Sequence, residues 1–136
     1  MLNWKEAYAI GEETIDQQHQ QLFAIGNKIY DLLENYLLAD KYDRIAAIID
    51  ELKDYTRYHF QWEEEFMLKT KNPLYLSQKA EHMEFIDKID SVDFDKVDEN
   101  QDQFIRELLV FVFDWIESHI LKSDKKILET GTVSIE

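Results

Sequence analysis

Residues that break helices are almost absent from this chain. Its 136 residues include three glycines and one proline. Glycine and proline are the residues that most disfavour a helix interior, so long stretches without them favour helix. The sequence therefore predicts an all-α protein, and its length predicts a single domain, residues 1–136, built around one hydrophobic core.

Local patterns predict where the helices begin. A capping pattern at Thr14–Gln17 marks the start of the first helix. Asp40 is the predicted N-cap of the second helix, which runs to about Lys69. Asn72 as cap, with Pro73 at the first helical position, predicts the third helix.

The remaining segments connect or flank four helices. The apolar stripe of the fourth helix begins at Phe104. Residues 1–15 are predicted to form an arm packed across the outside, residues 90–103 an acidic loop, and residues 125–136 a short tail. Four antiparallel helices with short connections form an up-and-down bundle, in which metal and cofactor sites are built from inward-facing side chains.

Polar side chains interrupt the apolar stripes. They are His19 on the first helix, His59 and Glu63 on the second, Gln78 and His82 on the third, and His119 followed by Asp124 on the fourth. His59 and Glu63 are four residues apart, so they share one helix face. Asp124 would lie roughly 140° round a regular helix from His119, so both reach one site only if the helix bulges or ends between them.

In an up-and-down bundle these polar positions fall at one end of the core. One inward histidine is more often an ordinary core residue than a ligand, but here all four histidines of the chain lie beside two carboxylates. This grouping favours a pair of metal ions bridged by carboxylates. The chain has no cysteine, so the ligands must be nitrogen and oxygen, which suit iron, manganese or zinc. Glu64 and Glu65 point about 100° and 200° away from Glu63 and are predicted to face solvent.

These residues resemble the hemerythrin family, and closely its bacterial subgroup. The resemblance rests on Trp4, Tyr8, Gly11 and Ile15–His19, on His59, Phe60, Glu63, Glu64 and Met67, on Pro73, His82 and Phe85, and on Trp115, Ile116, His119 and Asp124. It implies a non-heme centre of two iron ions with an oxo or hydroxo bridge. The implied ligands are His19, His59, Glu63, His82, His119 and Asp124, with both carboxylates bridging the irons.

Gln78 departs from the family pattern, which has a histidine at that position. Three interpretations are open. In the first, the oxygen of Gln78 or a water completes the coordination of the second iron. In the second, the second iron is weakly held or absent. In the third, the site is degenerate. The first is preferred, and the presence of every other ligand of the pattern makes a degenerate site the least favoured.

The resemblance implies reversible dioxygen binding at the iron held by His19 and His59, with nitric oxide as a second ligand. A di-iron oxidase or peroxidase and a sensing module are the alternatives. A non-enzymatic function is predicted because no inward tyrosine, glutamate or lysine is clearly placed as a proton donor.

Charge and hydropathy bear on partners and location. The net charge of −14 argues against binding to nucleic acid or to an anionic membrane. No apolar run approaches the roughly 20 residues that span a bilayer, and the start of the chain lacks a basic region followed by an apolar one. A cytoplasmic monomer is expected.

Overall fold

The computed structural model describes residues 4–119 and residue 124. Within them, a 3₁₀ turn at Glu6–Tyr8 precedes five α-helices. These are α1 (Glu13–Glu34), α2 (Tyr42–Lys69), α3 (Tyr75–Asp90), α4 (Phe94–Glu99) and α5 (Gln101–Ser118). The described residues contain no strand, so the predicted all-α class is confirmed. The predicted tail at 125–136 lies outside the described residues.

The four long helices pack as a bundle. α1 packs against α2 and α5, and α2 packs against α3. Lys28 near the middle of α1 contacts Glu51 of α2 at 2.7 Å, and Arg57 of α2 contacts Asp90 at the end of α3 at 3.2 Å. Earlier in α1, Gln18 contacts His59, which lies later in α2 than Glu51. Earlier in α3, His82 contacts Glu64, which lies later in α2 than Arg57. The order of contacts is reversed in both pairs, so α2 runs antiparallel to α1 and to α3.

The arm before α1 packs on the outside of the bundle. The rings of Trp4 and Tyr8 each lie 5.4 Å from the ring of Phe23 on α1. The carboxylate of Asp16 accepts hydrogen bonds from the backbone N–H groups of Ile10 at 2.8 Å and Gly11 at 3.3 Å. Gly11 has a φ of 99°, a conformation that glycine adopts without a steric penalty. The arm therefore turns into α1 at a defined angle.

Helix starts differ from the predictions by one to three residues. Glu12, rather than Thr14, is the N-cap of α1, and its carboxylate accepts from the backbone N–H of Ile15 at 2.8 Å. The N-cap of α2 is Lys41, one residue after Asp40. In each case a side chain near the predicted position does bind a free N–H group, which is what helix starts require.

The third helix begins at Tyr75, two residues after Pro73. Lys71 has a φ of 53°, and the side-chain oxygen of Asn72 accepts from the backbone N–H of Leu74 at 2.9 Å. Asn72 and Pro73 thus form a tight turn that precedes the helix.

The prediction of a loop at 90–103 is wrong over part of its length. Residues Phe94–Glu99 form α4, and the carboxylate of Asp93 accepts from the first free N–H groups of that helix. Val97 is 1% exposed. Burial of this side chain against the bundle stabilises a helix too short to be stable alone.

Among the described residues, every helix is too short or too polar to span a bilayer.

Candidate metal centre

Six of the predicted site residues converge at one end of the bundle. They are His19, His59, Glu63, His82, His119 and Asp124, and none is more than 2% exposed. Their ligand atoms form two overlapping groups, each within 4.8 Å. The first group contains His19 and His59, the second contains His82 and His119, and both contain Glu63 and Asp124. Two adjacent donor groups, each able to hold a cation, therefore share two carboxylates in this core.

Glu63 lies in the middle of the cluster. One of its oxygens is 3.2 Å from Nε2 of His59 and 3.4 Å from Nε2 of His82. Burial acts to raise the pKa of Glu63. The charge of His59, with the imidazole nitrogens of His119, His59 and His82 close by, outweighs burial and holds this pKa well below its usual range. The histidines thus favour the ionised carboxylate, which is the form that binds a cation.

Asp124 completes the cluster. Its Oδ2 is 2.8 Å from Nε2 of His19, and its Oδ1 is 3.0 Å from Nε2 of His119. The side chains of His119 and Asp124 thus reach one site, and both residues have π-helical backbone. The predicted bulge or helix end between them falls on residues 120–123, which lie outside the described residues.

The two histidines of the second group lie close together. Nε2 of His82 is 3.1 Å from Nε2 of His119. On the far side of each ring, Nδ1 faces a carboxylate, Glu64 at 2.8 Å and Glu81 at 3.6 Å. A carboxylate only accepts, so His82 when neutral carries its proton on Nδ1, and its Nε2 is then an acceptor. Nε2 of His119 lies between this acceptor and Oδ1 of Asp124 at 3.0 Å, so the two acceptors need a proton or a cation between them.

The protonation of His119 reflects this crowding. Burial acts to lower the pKa of His119. The charge of Asp124, with carboxylate oxygens of Asp124, Glu63 and Glu81 close by, outweighs burial and raises this pKa well above its ordinary value. A positive charge is therefore favoured at the position where the second group could hold a metal ion.

Three residues that contact the histidines from outside were missed by the sequence analysis. Oε1 of Gln18 accepts from Nδ1 of His59 at 2.6 Å. Glu64, predicted to face solvent, instead accepts from Nδ1 of His82, and its side chain is 20% exposed. Glu81 lies against His119 as described above. Such partners fix which ring nitrogen is free and how the ring is oriented.

Gln78, the seventh predicted site residue, faces inward one turn before His82 on α3. It is 2% exposed, and its side-chain oxygen has no hydrogen-bond partner among the described residues. Leaving a buried amide oxygen unpaired is costly. This oxygen is therefore available as a neutral ligand or as a hydrogen-bond acceptor for water.

The cluster as a whole has too few hydrogen bonds for its burial. Within the described residues, both oxygens of Glu63, Oδ1 of Asp124 and Nε2 of His59 are buried without a partner in hydrogen-bonding geometry. Buried charges are normally paired, hydrogen-bonded or bound to a metal. Nitrogen and carboxylate donors together suit iron, manganese or zinc. The donor set thus fits a pair of such ions.

Aromatic rings cover the second group. The ring of Phe60 stacks on His82 with centroids 4.0 Å apart and an interplanar angle of 4°. The ring of Trp115 stacks on His119 at 4.3 Å and 18°. These contacts hold the imidazoles in one orientation and keep water from their faces.

The fold and the site together define an all-helical bundle with a buried histidine- and carboxylate-lined centre able to hold metal ions. Comparison with known proteins agrees with this class. Residues 11–130 match the hemerythrin HHE cation binding domain, and the chain belongs to the hemerythrin family.

Several relatives support this assignment. A bacteriohemerythrin of Clostridium acetobutylicum is 40% identical over 129 residues, which are 95% of this chain and 100% of the relative. A bacteriohemerythrin of Methylococcus capsulatus is 32% identical over 81% of this chain and 80% of its own length. A hemerythrin-like protein of Naegleria gruberi is 27% identical over 91% of this chain and 88% of its own length.

Proposed function

We propose that this chain is a non-heme di-iron protein that binds dioxygen reversibly and is not an enzyme. The observation that carries the proposal is the pair of overlapping donor groups that share Glu63 and Asp124. Two carboxylates common to both groups can bridge two ions, and each group adds two histidines of its own. His19 and His59 form the first half of the site; His82, His119 and Gln78 form the second half.

The two halves are proposed to have different roles. His19 and His59 would hold one iron together with the shared carboxylates, which leaves room for a small ligand on that half. His82 and His119 would hold the other, with the oxygen of Gln78 or a water as a further ligand. When bound, a pair of ferrous ions supplies the electrons that make dioxygen binding possible. Nitric oxide is a second ligand of the same kind.

The residues around the first half support ligand binding without turnover. Ile15 and Leu22 lie one turn from His19 on α1, and Met67 lies one turn from Glu63 on α2, and all three are at most 1% exposed. A dry apolar surrounding limits the water and protons that would otherwise release a bound ligand in a reduced form. Gln18 holds the ring of His59 by a 2.6 Å hydrogen bond, so the metal-facing nitrogen stays in place.

Metal content and an oxygen-dependent spectrum test the proposal. The protein is loaded with ferrous iron under anaerobic conditions, desalted, and analysed for iron per chain. Its absorption spectrum is then recorded before oxygen, in oxygen, and after oxygen is removed. Two irons per chain, with bands that appear with oxygen and reverse on its removal, are expected. One iron or none, or bands that never reverse, would contradict reversible binding by a di-iron pair.

An enzymatic function is the second candidate, and Gln78 is the observation that favours it. If water rather than the amide oxygen completes the second half, both metal positions could accept substrate atoms. Peroxide consumption in the presence of an oxidisable phenol separates the candidates. Turnover in the wild type that disappears in Gln78→His would favour an oxidase or peroxidase, and no turnover in either would favour the carrier.

The remaining parts of the proposal concern assembly and surroundings. We propose one domain over residues 1–136, a monomeric state and a cytoplasmic location, without nucleic-acid or membrane partners. The net charge of −14 supports the monomeric state and the absence of nucleic-acid and membrane partners, because it disfavours association with other acidic surfaces. A sensing role would require a partner protein, which affinity capture from the source cell would identify.

A further inference from the structure

A broad groove lies at the end of the bundle opposite the metal centre. It runs between the last turn of α3, α4 and the first half of α5, and its volume is about 820 Å³. Its apolar wall is formed by Val92, Phe104, Leu108, Val110 and Phe111. Val110 is 60% exposed. The groove exists because α3 and α5 meet through large rings, with Phe85 and Phe111 stacked 5.4 Å apart, rather than through closely packed backbones.

Cations border this apolar surface. Lys88, Lys96 and Arg106 line the groove, and within the described part of the chain none of them forms an ion pair with a carboxylate. The cations that do form ion pairs, such as Lys28 and Lys53, lie elsewhere. Three unpaired cations at one groove are notable in a chain whose net charge is −14.

The two carboxylates in the groove wall are already engaged within the protein. Asp93 caps α4 by accepting from the backbone N–H groups of Asp95 and Lys96. Glu107 accepts from the side chain of Gln103 at 3.2 Å. The groove therefore combines an apolar floor of small-ligand size with an excess of positive charge at its edge.

We propose that this groove binds a single-chain carboxylate amphiphile of the fatty-acid type. The alkyl chain covers the apolar wall, and the carboxylate lies among Lys88, Lys96 and Arg106. Burial of each methylene favours binding by the hydrophobic effect, and charge-assisted hydrogen bonds orient the head group. The site is independent of the metal centre and of the function proposed for it.

Charge disfavours the larger occupants. A second copy of this chain would bring another net charge of −14 to the groove, and an anionic membrane would meet the acidic remainder of the surface. A small anion meets three local cations and two carboxylates, Asp93 and Glu107, so the charge lining the groove has a positive excess of one. Over a few ångströms this excess outweighs distant acidic residues, which salt screens.

Calorimetric titration with dodecanoate, below its micellar concentration, tests the proposal on the full chain. One binding site is expected. Decanoate should bind at least threefold more weakly, because two fully buried methylenes are worth roughly tenfold in affinity and the groove is open on one side. Dodecanol, which lacks the charge, should bind at least tenfold more weakly than dodecanoate.

Charge-neutralising variants locate the site. The triple variant Lys88→Gln/Lys96→Gln/Arg106→Gln should lose at least tenfold in dodecanoate affinity and keep its dodecanol affinity within twofold. The control, Lys28→Gln/Lys53→Gln/Arg57→Gln, changes the net charge equally on another face and should leave dodecanoate binding within twofold.

A steric variant gives an independent check that does not depend on the cations. Val110 is exposed, so Val110→Glu should fold normally while placing a carboxylate in the groove and weakening both ligands. Equal losses in the two triple variants would show a general charge effect and overturn the proposal. So would dodecanol binding as tightly as dodecanoate, full binding by Val110→Glu, or a wild-type dimer in light scattering that Val110→Glu dissociates.

Discussion

Glu64 gives the sharpest test of how the second half of the metal site is built. Its carboxylate accepts from Nδ1 of His82 at 2.8 Å, so it fixes the ring and leaves Nε2 free to bind a metal. Residues in this position typically change metal affinity 10- to 100-fold when removed. Because the Glu64 side chain is 20% exposed, water can partly replace it. We expect Glu64→Ala to weaken the second metal about 10- to 30-fold, about 1.4–2 kcal/mol.

Glu65 supplies the matched control. It follows Glu64 on α2 and is exposed. Within the described residues its side chain accepts one hydrogen bond, from Gln61 at 3.3 Å. Glu65→Ala changes the net charge by the same amount without touching an imidazole. Anaerobic titration of the metal-free proteins with ferrous iron, in competition with a chelator, gives two affinities per variant. Only the weaker of the two iron affinities should fall, and only in Glu64→Ala.

Two outcomes would refute this reasoning. If Glu64→Ala and Glu65→Ala bind both irons alike, the hydrogen bond to His82 does not orient the ring. If Glu64→Ala weakens both irons equally, the effect is a loss of local negative charge or of folding. Circular dichroism of the metal-free variants separates those two causes.

Three further predictions use other features of the bundle. Gln78→His should bind the second iron about tenfold more tightly and autoxidise more slowly than the wild type; equal autoxidation rates would contradict a role for this position. In the metal-free protein the raised pKa of His119, in which surrounding carboxylates outweigh burial, stabilises the fold at acidic to neutral pH, and this stabilisation is lost as pH rises through that pKa. Metal affinity should rise over the same pH range because the ion displaces the proton. His119→Gln should remove the pH dependence of stability, measured by urea unfolding, and the pH dependence of metal affinity, measured by chelator titration. Gly26→Ala should lower the free energy of unfolding by about 1–2 kcal/mol, because a Cβ there would lie 2.6 Å from Cε1 of Phe113. In a Phe113→Ala background the same change should stabilise, since alanine favours helix over glycine by about 1 kcal/mol.

The inward histidines could be predicted from sequence because helical periodicity determines which face of the helix each residue lies on. A residue three or four positions from buried Ile, Leu and Phe side chains must face the core, and His19, His59 and His82 satisfy this on three helices. Antiparallel packing then brings the start of one helix beside the end of the next. Periodicity also placed Gln78 inward, and it is buried. These features follow from spacing alone.

The partners of the histidines could not be predicted in the same way. Glu64 lies about 100° from Glu63 around α2, which is consistent with a solvent-facing residue. It contacts His82 because α3 lies on that side of α2, and because a glutamate is long enough to span the gap. Which helix lies on which side is a property of the whole bundle. The same reason explains Gln18 and Glu81.

Short-range exceptions to regular helix account for the other differences. The side chains of His119 and Asp124 meet, but the sequence left open whether a bulge or a helix end brings them together. α4 depends on burial of Val97 against the rest of the bundle, and a six-residue segment has no periodicity long enough to reveal a helix. The left-handed conformation of Lys71 shifts the start of α3, and nothing in a lysine indicates it.

The outer partners also bear on what Gln78 means for the second half of the site. The first half has a neutral partner, Gln18, for His59, and Nδ1 of its other histidine has no partner within the described residues. In the second half, Nδ1 of His82 donates to Glu64 at 2.8 Å. Nδ1 of His119 lies 3.6 Å from the carboxylate of Glu81, which is too long for a hydrogen bond but leaves a charge contact. A carboxylate partner makes an imidazole a more basic and stronger ligand than an amide partner does. The half that lacks a family histidine is therefore the half whose remaining histidines are best supported, which favours two bound irons over a degenerate site and makes the loss expected in Glu64→Ala specific to the second iron.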